Sequence, residues 1–169
     1  LLSRARMITR SVTRTGLSRE GGARPSQGQM RAFLPSPSQL EIRVNRPMPV
    51  FEFLEPVVVE LKLQNISAMP QVVDENILTT LDGITIALKR QGSPARQFLP
   101  FAQYCMKSAA KVLQPKEAIY SSVYVTAGLN GVDVSEPGRY LLQAAMHTPQ
   151  GDIVSKPFTG QGNAPVKGS

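Results

Sequence analysis

The stretch Ser135-Glu136-Pro137-Gly138-Arg139-Tyr140, running on into Leu141-Leu142-Gln143-Ala144-Ala145-Met146-His147, decides the fold. Pro137 presets one backbone angle and Gly138 frees the next, so the chain reverses sharply and enters a strand with Tyr140 at its mouth. Period-two alternation then places Tyr140, Leu142, Ala144 and Met146 on one face. Pro149-Gln150-Gly151-Asp152 supplies a second reversal, and Ile153-Val154-Ser155-Lys156-Pro157-Phe158 returns antiparallel. Gly160 onward reads as a polar tail.

The same alternation recurs upstream. Leu40, Ile42 and Val44 share a face in Leu40-Glu41-Ile42-Arg43-Val44, as do Val57, Val59, Leu61 and Leu63 in the run after Glu55-Pro56. Three consecutive valines favour the pleated form over a helix. Asp82-Gly83 is a turn pair ahead of Ile84-Thr85-Ile86-Ala87-Leu88, with Ile84, Ile86 and Leu88 inward. Ala118 to Thr126 forms another strand, with either Ile119, Ser121, Val123 and Val125 or Tyr120, Ser122 and Tyr124 toward the core. Asp74-Glu75-Asn76 falls in a loop. Phe98 to Ala110 covers a sheet edge, held irregular by Pro100, with a short helix across Cys105 to Ala110. About seven short strands, no long helix and no repeat describe an all-β, two-sheet antiparallel sandwich.

Charge is placed unevenly. Residues 1–39 carry Arg4, Arg6, Arg10, Arg14, Arg19, Arg24 and Arg31 against the single acid Glu20, leaving 12 basic and 11 acidic side chains for the remainder. The net charge of +7 therefore belongs to an arm. Gly21-Gly22 and the Pro and Ser residues from Pro25 to Ser38 suit a flexible, disordered linker. The same segment also reads as a mitochondrial-type presequence or as an arginine-rich arm for nucleic acid. The expected organisation is a basic arm over 1–38, a sandwich over 39–160 and a disordered tail over 161–169. No compact apolar stretch follows the early arginines as a signal peptide requires, and none is long enough for a membrane span.

Glu55-Pro56-Val57 before a strand ending Leu63-Gln64-Asn65-Ile66-Ser67, then Leu113-Gln114-Pro115-Lys116-Glu117, then Glu136-Pro137-Gly138-Arg139-Tyr140, resembles immunoglobulin-like modules of bacterial multidomain and cell-surface proteins. The resemblance implies that Pro137, Gly138 and Tyr140 form a tyrosine corner, the Tyr140 hydroxyl bonding backbone a few residues upstream. It also implies a secreted or cell-surface setting. Lys116 stands where such modules usually carry glycine.

Chemistry-bearing residues are sparse. His147 faces Asp152 across the last hairpin, with Ser155 and Cys105 as formal nucleophiles, the ingredients of a hydrolase and the weakest of the readings. One His and one Cys cannot assemble a zinc site within the chain, and Asp74, Glu75 and Asn76 make a thin oxygen cluster for calcium. No glycine-rich phosphate loop is present. Asn65-Ile66-Ser67 matches the N-glycosylation triplet. The expectation is a non-enzymatic spacer or interaction module that needs no cofactor and meets a protein partner or neighbouring domain. The second reading is a nucleic-acid-associated protein that binds through the arm. Phe98, Phe101, Tyr104, Tyr120 and Tyr124 are expected in the core; exposed, they would make a platform for protein or carbohydrate, although tryptophan, the commonest sugar-stacking residue, is absent.

Overall fold

The computed structural model describes residues 37–80, 83–101 and 107–164. The chain divides into two units, residues 1–34 and 35–169, and all described residues belong to the second. Its strands are β1 (Ser38–Arg43), β2 (Val50–Phe51), β3 (Val58–Asn65), β4 (Gln71–Asp74), β5 (Ile84–Arg90), β6 (Arg96–Phe98) and β7 (Ala110–Leu113). They continue as β8 (Ala118–Tyr124), β9 (Ala127–Gly128), β10 (Gly131–Val132), β11 (Gly138–Met146), β12 (Ile153–Val154) and β13 (Phe158–Gly162). No helix occurs among the described residues.

Two layers hold the core. One sheet has the order β1-β3-β8, the other β2-β13-β11-β5-β6, with β12 also pairing β11. Both are antiparallel except where β2 runs parallel to β13. Alternation sets which side chains meet between them: Leu40 and Ile42 from β1 and Val59, Leu61 and Leu63 from β3 pack with Ile84, Ile86 and Leu88 from β5 and Tyr140, Leu142, Ala144 and Met146 from β11. Val59, Leu61 and Leu63 are fully buried. Burying such side chains contributes about 1.5–3 kcal/mol each, so these alternating rows dominate stability. Pairs β4–β7 and β9–β10 form separate two-stranded ribbons. Six strands of five or more residues build the layers, and short ribbon and edge pieces account for the excess over the expected seven.

Four expectations are corrected. Pro157 interrupts the return of the last hairpin, which splits into β12 and β13 instead of running as one strand. β13 then extends to Gly162, past the expected end at 160, and takes the first two residues of the expected tail. Gly160 and Gly162 are buried because ring edges pack over them: a Cβ at Gly160 would lie 3.2 Å from Phe51 Cε2, and one at Gly162 3.3 Å from Tyr140 Cε2. Asp74 ends a strand, β4, instead of sitting in a loop; Ala110 opens β7 and residues 107–109 are not helical. Cys105, Tyr104 and Asp82 lie outside the described residues.

Candidate functional site

The tyrosine corner forms. Gly138, at φ 139°, occupies backbone space that L side chains rarely adopt. Tyr140, 4% exposed, donates its hydroxyl to the Glu136 carbonyl at 2.7 Å and accepts the Glu136 amide at 3.2 Å. Pro137, Gly138 and Tyr140 thus lock a corner.

Other buried polar groups act alike. Thr126 Oγ1 accepts the Val57 amide (2.7 Å) and donates to the Glu55 carbonyl (3.1 Å). Asn65 is fully buried. Its Nδ2 donates to the carbonyls of Met69 and Leu113, both at 2.9 Å, and its Oδ1 accepts the Ser67 amide and hydroxyl. A side chain so enclosed cannot serve as a glycan acceptor, which overturns that reading of the triplet. Lys116, at φ 69°, adopts the left-handed conformation that the resemblance assigns to glycine. Its amide donates to the Asn65 carbonyl at 2.9 Å, so a long side chain occupies a turn position that favours none.

His147 meets Asp152 as expected, Nδ1 to Oδ1 at 2.9 Å. Its other nitrogen faces Thr85 Oγ1 at 2.9 Å, a neighbour the sequence did not suggest because β5 and β11 are far apart in the chain. Ser155 is elsewhere: its buried Oγ accepts the Ala144 amide (2.9 Å) and donates to the Lys156 carbonyl (3.0 Å), holding the chain between β12 and β13. Asp74 Oδ1 accepts the amides of Asn76 (2.9 Å) and Ala109 (3.3 Å), and the Asn76 bond leads in drawing its pKa below the ordinary value. Among the described residues no three metal-ligating side chains cluster.

Two cavities are relevant. The polar one, about 350 Å³, is lined by Arg90, Arg96, Asp133 and Glu136 beside the tyrosine corner. Arg90 pairs with Glu136. Arg96 Nη2 lies 3.0 Å from Asp133 Oδ1 and donates to the Asp133 carbonyl, also at 3.0 Å. Neither carboxylate oxygen of Asp133 has an aligned hydrogen bond. Burial raises the Asp133 pKa, with Arg96 opposing.

The apolar one, about 330 Å³, opens between the side of β8 that pairs with no described strand and the β5–β6 side of the other sheet, lined by Leu78, Ile84, Ile86, Phe98, Phe101 and Val123 among others. Around it the aromatic expectation is corrected. Phe98 is core, but Tyr120, Tyr124 and Phe101 are 58%, 44% and 65% exposed. Ile119 is buried and Ser121 and Val123 half-buried, which settles the face of β8 left open by the sequence. Val58, directly opposite Tyr124, extends the exposed patch.

Arg4, Arg6, Arg10, Arg14, Arg19, Arg24 and Arg31 lie outside the described residues. No described helix is long and apolar enough to cross a membrane.

The chain matches no sequence family and no curated protein. It is similar to a Pseudomonas fluorescens alkylpurine DNA glycosylase bound to DNA containing an abasic site analog, at 12% identity over 76% of this chain and 31% of that one, TM-score 0.42. A Listeria innocua beta-glucosidase in complex with gluconolactone aligns at 17% identity over 77% and 17%, TM-score 0.39. The CARDB domain of a Pyrococcus furiosus protein, in complex with di-metal ions, aligns at 13% identity over 75% and 87%, TM-score 0.38. The chain spans less than a third of the first two proteins' lengths. The fold is read from this chain's own strand order, with β1-β3-β8 and β13-β11-β5 as the A-B-E and G-F-C strands of an immunoglobulin-like sandwich.

Proposed function

We propose that this sandwich is a non-catalytic spacer or protein-interaction module of a larger, secreted or cell-surface assembly, and that its contact surface is the β8 side. The exposure of Tyr124 and Phe101 at an open apolar cleft, with Tyr120 and Val58 exposed on the same outer face of the sheet as Tyr124, carries this reading. Aromatic residues concentrated on a surface favour partner contact. The buried polar groups support the scaffold role, because Tyr140, Asn65, Thr126 and Ser155 each tie backbone segments together. Thr85, His147 and Asp152 line neither of the two cavities described above.

Replacing Tyr120 and Tyr124 together by serine tests the surface assignment. Contact residues leave the fold intact, with unfolding free energy within about 1 kcal/mol of wild type. A loss above about 2 kcal/mol would make them structural and end this assignment. Generic ester and peptide hydrolysis is expected at background in both wild type and His147→Ala. Turnover that the variant abolishes would install a hydrolase instead. The nucleic-acid reading rests on the arginines before Leu40, and salt-dependent binding of a mixed DNA or RNA ligand that disappears on deleting residues 1–38 would establish it.

A further inference from the structure

We infer that β8 is a self-pairing edge, and that two copies of this chain join β8 to β8 antiparallel about a two-fold axis at Ser121. This names the partner of the surface proposed above and rests on that assignment.

Backbone direction gives the first argument. Val125 donates its amide to the Val57 carbonyl, and Asn65 donates to the Glu117 carbonyl. With the β3–β8 register, these bonds fix Ile119, Ser121 and Val123 as the residues whose backbone groups point at β3. Ala118, Tyr120, Ser122 and Tyr124 therefore aim their N–H and C=O groups away from the sheet. Immunoglobulin-like sandwiches place strand D beside strand E; here β7, which precedes β8, pairs with β4, and no described strand takes that place. An occupant must satisfy a row of amides and carbonyls, which selects an extended strand.

Charge and side-chain size select the copy. β8 contains no charged residue, whereas the outer strand at the other side of its sheet, β1, carries Glu41 and Arg43. In the other sheet, β6 is three residues long with Arg96, and β2 is two residues long. Charge and shortness blunt those edges. β8 is thus an edge that carries no like charge to repel the same strand of a second copy.

Centring the ladder on Ser121 sets all four outward residues opposite outward residues: Ala118 with Tyr124 and Tyr120 with Ser122, each pair occurring twice by symmetry. On that face every tyrosine meets a small side chain. On the inner face Ile119 meets Val123 and Ser121 meets Ser121. The added strand projects its Ile119 and Val123 over the mouth of the apolar cleft, which Val123 already lines. Ala-Ile-Tyr-Ser-Ser-Val-Tyr is thus self-complementary in size when read against its own reverse.

A seven-residue ladder is small beside a standard interface, so the expected dimer is weak, with a midpoint on the order of 100 µM. Sedimentation equilibrium of the full chain from about 1 µM to 1 mM is expected to show a monomer–dimer transition across that range. Ser122→Pro deletes one outward amide while sparing the bonds to β3, and should weaken association at least about tenfold. In a Cys105→Ser background, Ser121→Cys should cross-link to its own copy under mild oxidation, while Gln39→Cys on β1 should not. Cross-linking confined to Ser121→Cys, with the concentration dependence, supports the proposal.

A monomer at 1 mM, or equal cross-linking from both cysteines, overturns it. Protection of the Tyr120 and Ser122 amides by an added extended apolar peptide, with the chain monomeric, overturns it in favour of a foreign strand. These failures leave the β8 side as a contact surface, whereas loss of fold on replacing Tyr120 and Tyr124 removes both.

Discussion

Replacing Tyr140 by Phe removes one oxygen and leaves the ring's packing in place. That oxygen donates to the Glu136 carbonyl at 2.7 Å and accepts the Glu136 amide at 3.2 Å. A neutral intramolecular hydrogen bond contributes about 1 kcal/mol net, and a stranded buried partner costs about 1–3 kcal/mol. Glu136 is exposed, so water can reach its freed backbone groups and the larger figure does not apply. The expected loss is therefore about 1–2 kcal/mol. For a sandwich of this size that corresponds to a fall in Tm of about 4–8 °C. Urea unfolding is the direct assay, with the midpoint shifting at unchanged slope because the buried surface is the same. Tyr124→Phe is the internal control, since its exposed ring should lose less than about 0.5 kcal/mol. A Tyr140→Phe loss equal to that of the control would refute the corner as a stabilising device and reduce it to a by-product of strand geometry.

Asn65→Ala strands the carbonyls of Met69 and Leu113 and leaves a hole at a fully buried site, so a loss of about 3–5 kcal/mol is expected in denaturant unfolding; less than about 1 kcal/mol would contradict the network. Lys116→Gly should be at least as stable as wild type, while Lys116→Val should lose about 1–2 kcal/mol, because only glycine relaxes at φ 69°. Equal melting of these two variants would remove backbone strain from the explanation. Asp133 holds its proton more tightly folded than unfolded, because burial raises its pKa. Its titration therefore favours the fold at acid pH and weighs against it as pH climbs through the raised value. Asp133→Asn should accordingly gain on wild type in thermal unfolding as pH rises above the ordinary carboxylate range, and a difference that does not vary with pH would sink this account.

The layers were legible where alternation contrasts apolar with charged neighbours. Leu61 and Leu63 lie between Glu60, Lys62 and Gln64, and Tyr140 to Met146 lies ahead of a turn, so their inward faces follow from period alone. β8 resisted the same logic. It has apolar or aromatic residues on both faces and a serine on each, so nothing in the pattern separates Tyr120 outside from Ile119 inside. Gly160-Gln161-Gly162 reads as a tail because glycine carries no hydrophobic signal, yet these positions pair with β11 and β2, and the two glycines leave room for the rings of Phe51 and Tyr140 to pack closely over them. Long-range neighbours were equally hidden. His147 with Asp152 is local to one hairpin and could be anticipated, whereas Thr85 with His147 and Asn65 with Leu113 depend on strand order that no short window contains.

The parallel pairing of β2 with β13 has a mechanical consequence. Gln161 donates its amide to the Pro49 carbonyl and Asn163 to the Phe51 carbonyl, both at 2.8 Å. Tension applied upstream of Val50 and downstream of Gly162 pulls these two segments past each other along their length. Both bonds are then loaded together and must fail together, unlike an antiparallel hairpin that unzips one rung at a time. A link in an extended chain of domains would carry stretch in shear at this clamp once the load had passed β1, whose Leu40 and Ile42 anchor it in the core.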